Sequence, residues 1–149
     1  MICTSIQNLG LEAIMERLES GELEMAEIRL DLCPELSDDD IDSLFSTTDI
    51  PLIATCRVEG SASAAAAEAR LRIAIEAGAK YVDLEVEAPA PMGKRLRRSA
   101  KQYGTTFIRS WHDYAGTPDG EELAQELEKC LRYGADIVKI ATFARVEDV

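Results

Sequence analysis

Only one histidine, His112, occurs among the 149 residues. A zinc centre would have to be assembled from scattered thiols and carboxylates, so no metal is expected. The four cysteines, at positions 3, 33, 56 and 130, form no CxxC pair. They read as isolated thiols, mostly in apolar surroundings, which suits a reducing, cytoplasmic setting. Positive charge is scarce too: 16 Lys and Arg stand against 28 Asp and Glu, a net charge of −12. A surface of that sign repels phosphate backbones and anionic lipid, so neither a nucleic-acid partner nor membrane docking is expected. No run approaches the ~20 apolar residues needed to span a bilayer. The opening Met1-Ile2-Cys3-Thr4-Ser5 lacks the basic and apolar regions of a secretory leader, and none is expected.

Two nucleotide signatures are missing as well. After the first apolar run stands Gln7-Asn8-Leu9-Gly10, not the glycine fingerprint of a dinucleotide fold, and no GxxxxGK[ST] loop occurs. No cofactor is called for by any motif.

What the chain does have is alternation. A composition of 46% hydrophobic and 30% charged residues suits one soluble domain with a core of its own. Short β-branched runs at 2–6, 26–32, 51–57, 81–87, 105–112 and 136–142 alternate with helical segments near 11–20, 38–46, 63–77, 91–103 and 121–133. Gly78, Gly104 and Gly134 stand where helices end before strands. Thr117 followed by Pro118 reads as an N-cap with proline at the first helical position, and Asp119 with Glu122 has capping-box spacing. Leu123, Leu127, Cys130 and Leu131 fall on one helical face. Strict βα alternation predicts a parallel sheet covered by helices. Residues 143–149 read as a sixth helix just beginning. The expected architecture is therefore a TIM-type (β/α)8 barrel with about six of its eight βα units, in one domain over 1–149.

Charges inside the strands mark the candidate site. In 26–32, Glu27, Arg29 and Asp31 share one face while Ile28, Leu30 and Leu32 share the other. In 81–87 the same holds for Asp83, Glu85 and Glu87 against Val82, Leu84 and Val86. The apolar faces must meet helices, so the charged faces point into the barrel. There they form either an internal ion-pair layer or a site at the strand C-termini. Arg29, Arg57, Arg109 and Lys139 are the strand-borne cations available to balance the acids. Arg57 ends its apolar run, a natural position for clamping a carboxylate. Lys139, inside Ala135-Asp-Ile-Val-Lys-Ile-Ala-Thr142, reads either as a desolvated amine able to attack a ketone or as the partner of Glu85 or Asp83. His112, at the end of its run, reads either as a base or as a structural ring; Asp113 should point away from it. The basic stretch Lys94-Arg95-Leu96-Arg97-Arg98 reads as a solvated helix face.

Five segments taken in order carry a resemblance: Glu27-Ile-Arg-Leu-Asp31, Ile53-Ala-Thr-Cys-Arg57, Tyr81-Val-Asp-Leu-Glu85, Ser110-Trp-His-Asp-Tyr114 with Thr117-Pro118, and Ala135-Asp-Ile-Val-Lys-Ile-Ala141. The chain resembles type I 3-dehydroquinate dehydratase, the Schiff-base lyase of the shikimate pathway. The resemblance implies a (β/α)8 barrel, usually a homodimer, that uses no metal or cofactor and acts on 3-dehydroquinate. It implies that Lys139 forms the imine and that His112 takes and returns the proton. Glu59 would pair with the histidine, and Glu27, Arg29 and Arg57 would hold the substrate's polar groups. The family's remaining two βα units, with an arginine, a serine and a glutamine that close on substrate, have no counterpart here. Two other readings stay open: another Schiff-base barrel of aldolase type, and a catalytically silent fragment or binding module with two open sheet edges.

Overall fold

The computed structural model describes residues 2–58 and 63–144. Its elements run β1 (Cys3–Ile6), α1 (Leu11–Glu19), β2 (Met25–Arg29), α2 (Asp38–Thr47), β3 (Leu52–Thr55), α3 (Ala64–Ala77), β4 (Tyr81–Glu85), α4 (Ala90–Tyr103), β5 (Thr106–Asp113), α5 (Gly120–Arg132) and β6 (Ile137–Thr142). The six strands form one parallel sheet in sequence order, with β1 and β6 at its edges. This is the curled, partly built barrel expected from the alternation. The reading of residues 143–149 as a sixth helix lies mostly outside the described residues, which end at 144.

Local sequence explains most element ends. Ser37 caps α2: its hydroxyl accepts the Asp40 amide while the Asp40 carboxylate accepts the Ser37 amide. Gly78 and Gly104 close α3 and α4 at φ 112° and 75°, the left-handed region where a side chain would be strained. The cap of α5 is Asp119, whose carboxylate accepts the amides of Glu121 and Glu122. Thr117 is therefore not the N-cap; its hydroxyl lies 3.0 Å from that of Thr142 instead. The shorter reach of Asp119 to two free amides decides the helix start.

Three strands stop clearly short of expectation. β3 covers Leu52–Thr55 of the expected 51–57, and its pairing with both neighbours ends at Thr55, so Arg57 stands in the loop after the strand and not on it. β2 stops at Arg29, where its last partner in β3 is Thr55, and Leu30–Leu32 turns into a 3-10 helix. Asp31 thus leaves the strand face but returns to Arg29, accepting two hydrogen bonds at 3.0 and 2.6 Å. β4 ends at Glu85, and Glu87 is exposed in the turn beyond it.

The main core lies between sheet and helices. Ile28, Leu84 and Phe107 from the strands meet Ile41, Leu71, Ile75 and Leu96 from the helices, all essentially excluded from water. Arg109 belongs to this outer layer, which corrects its expected place inside the barrel. Strand alternation puts it with Phe107, opposite Ser110 and His112. Its guanidinium lies 5.8 Å from the Phe107 ring and 5.6 Å from the Tyr133 ring and donates to the Val86 carbonyl. Gly93 makes room: a Cβ there would sit 3.1 Å from Nη1. Burial pulls this arginine's pKa down. The basic stretch of α4 is solvated and paired, Arg95 with Glu68 and Arg97 with Asp136, both at 2.6 Å.

Candidate active site

The inner face of the sheet is polar from β2 to β6. Residues two apart on each strand point the same way, so Glu27, Thr55, Asp83, Ser110 and Lys139 converge. The Lys139 ammonium donates to Asp83 Oδ2 at 3.0 Å and lies 3.6 Å from Glu27 Oε1. Asp83 is 1% exposed, and its other oxygen accepts the Ser110 hydroxyl. Glu27 accepts the Thr55 hydroxyl at 2.8 Å. Lys139 is thus not an amine in an apolar slot. It is an ion-paired amine, 38% exposed, because β6 is an edge strand whose inner face stays open. Of the two carboxylates weighed as partners, Asp83 takes the role; Glu85 does not, and Glu27 takes the second place.

His112 and Arg57 meet over this layer. Arg57 Nη2 lies 2.9 Å from His112 Nε2, and Nη1 lies 3.3 Å from Nδ1 and from the Ser110 hydroxyl. Arginine only donates, and a neutral imidazole has one acceptor nitrogen. Taking the shorter contact as the hydrogen bond assigns Nε2 as the acceptor and the ring proton to Nδ1. The ring also stacks on Tyr114, with centroids 5.9 Å apart. Burial, then the positive charges of Arg57 and Lys139, push the His112 pKa from 6.5 down to about 4. At neutral pH the ring is uncharged.

A cavity of about 530 Å³ opens above, lined by Arg29, Asp31, Arg57, Glu85, His112 and Tyr114 among others. Lys139 does not line it directly; it joins it from below through Asp83, Ser110 and Arg57. Glu85 forms one wall, accepting the Val58 amide at 2.7 Å, with its second oxygen 3.9 Å from Arg57.

The structure therefore brings Lys139, His112, Arg57, Arg29 and Glu27 to one end of the sheet. Glu59 lies outside the described residues. Ser110 and Thr55 join the site beyond the residues expected from sequence. The signal was present for Ser110, which stands two residues before His112 and so shares its face.

This is the polar, C-terminal end of the sheet of a partly built (β/α) barrel. The same fold occurs in a type I 3-dehydroquinate dehydratase from Clostridium difficile, solved with covalently modified comenic acid. That structure matches with a TM-score of 0.85 and 22% identity over 97% of this chain and 63% of its own. The family model for type I 3-dehydroquinase matches residues 2–149. The chain belongs to that family. The 3-dehydroquinate dehydratase of Methanococcus maripaludis strain C7 is 31% identical over 99% of this chain and 69% of its own length. That of Methanothrix thermoacetophila is 36% identical over 91% and 59%. The chain thus spans roughly three-fifths to two-thirds of the relatives it matches.

Proposed function

We propose that this chain carries the imine-forming half of a 3-dehydroquinate dehydratase site. The carrying observation is that Lys139 and His112 share the inner face of adjacent strands: β5 and β6 pair Ser110 with Lys139 and His112 with Ala141. An amine and a neutral base, one step apart along a strand, fit a reaction that needs both.

Attack on the C3 ketone requires the unprotonated amine, and Asp83 and Glu27 are the carboxylates placed to accept its proton. Lys139 Nζ bonds to the carbonyl carbon, and loss of water leaves the iminium. That cation draws electrons from the neighbouring C–H, so His112 takes a proton from C2. The proton returns to the departing C1 hydroxyl, which leaves as water. Hydrolysis of the imine releases 3-dehydroshikimate and restores the lysine. Arg29 and Arg57, with Glu27, hold hydroxyl and carboxylate groups. A homodimeric, cytoplasmic enzyme without metal or cofactor belongs to the same reading.

Borohydride reduction in the presence of 3-dehydroquinate tests it. Imine formation asks less of the site than turnover, so trapping suits a chain shorter than its relatives. Mass should appear on the Lys139 peptide and vanish in Lys139→Met. A label on Lys94 or Lys101, or none on Lys139, overturns the assignment. In whatever length of chain turns over, His112→Ala should keep the trapped imine and slow turnover by about 10²- to 10⁴-fold. The relatives are longer than this chain, so fuller turnover is expected from a chain of their length than from these residues alone.

A further inference from the structure

We propose that Arg57 is a positioning residue for His112: it occupies the imidazole's acceptor nitrogen, and an entering carboxylate draws it away and frees that nitrogen. The inference gives the site proposed above a device for arming its base.

The geometry carries it. A guanidinium can only donate, so the 2.9 Å contact to Nε2 exists only while that nitrogen is unprotonated. His112 cannot accept a proton there until Arg57 leaves. A second station waits for Arg57. Glu85 Oε2 is buried, has no hydrogen-bond partner among the described residues, and lies 3.9 Å from Arg57 Nη1. A carboxylate binding in the cavity would offer a second anionic site. The guanidinium thus touches the ring from a place where anions lie within its reach.

The charged groups that act on the ring are Arg57 after β3, Lys139 on β6, Asp83 on β4 and Glu27 on β2. The two cations oppose protonation and the two carboxylates favour it. Moving Arg57 onto an added anion removes one opposing charge and releases the acceptor nitrogen, so both effects favour proton uptake.

His112 is the single histidine, so one imidazole signal reports the outcome by proton NMR. The probe is cyclohexanecarboxylate, titrated into the full chain across pH 4 to 8. Its saturation should raise the His112 midpoint by about one pH unit. Arg57→Met should raise the midpoint without ligand and leave the carboxylate no further effect. An unchanged midpoint in Arg57→Met overturns the proposal, as does a carboxylate that fails to bind or leaves the midpoint where it was. If Arg57→Met fails to fold, the ligand titration of the parent chain decides. No dehydration occurs in this measurement. Failure of imine trapping would overturn the proposed reaction and leave the titration result standing.

Discussion

The helix-covered side of the sheet and the flank formed by α5 and β6 are built from similar sequence patterns and end differently. α3 buries Ala67, Leu71, Ala74 and Ile75, and α4 buries Met92, Leu96 and Ala100. α5 has an apolar stripe of its own, yet only Cys130 is buried, while Leu127 and Leu131 stand 42% and 55% exposed. Ile137 on β6 is likewise 42% exposed. Amphipathic pattern creates a face that can be buried; a neighbour must exist to bury it. β6 is an edge, so α5 is packed from one side only. The consequence reaches the chemistry, because the proposed nucleophile sits on the open strand and the proposed base on a covered one.

The sharpest way to break the contrast is by cavity formation. Leu96→Ala, in the covered layer, should cost about 2–5 kcal/mol of unfolding free energy, read from urea melts. Asp83→Ala should follow at about 1–3 kcal/mol, because the buried Ser110 hydroxyl and the Lys139 ammonium both lose their acceptor. A melt indistinguishable from the parent's would mean that Lys139 and Ser110 find other partners.

The third effect depends on pH. The folded pKa of His112, about 4, lies below its unfolded value, so the unfolded chain binds more protons in between. His112 therefore weakens the fold as pH falls from about 6.5 toward 4. Stability measured across that window should drop more steeply in the parent than in His112→Gln, with the two curves parallel above pH 7. Curves that stay parallel throughout would deny the depressed pKa. The smallest change is expected on the open flank: Leu131→Ser should cost less than about 0.5 kcal/mol. A loss comparable to that of Leu96→Ala would show that something covers this flank in solution.

Much of the fold was legible because alternation of apolar runs and helical periods is a local property. The strand faces were legible for the same reason: Glu27 with Arg29, and Asp83 with Glu85, follow from a period of two. Legibility failed where pairing, not pattern, sets the limit. β2 ends because β3 has no partner beyond Thr55, and the run Leu30–Leu32 cannot reveal that. For Arg109 charge and alternation point opposite ways, and alternation wins: its parity with Phe107 puts it among the helices, where aromatic rings and Gly93 accommodate it.

The order of residues by itself determined the βα repeat, the polar inner face, and the identity of the one histidine and the one inward lysine available for chemistry. Those are consequences of period, composition and chain order. Tertiary structure alone decided which carboxylates hold Lys139, namely Asp83 and Glu27, from strands far away in sequence. It alone set Arg57 between His112 and Glu85. Side chains on different strands meet through register and sheet curvature, and both arise only when the strands pair.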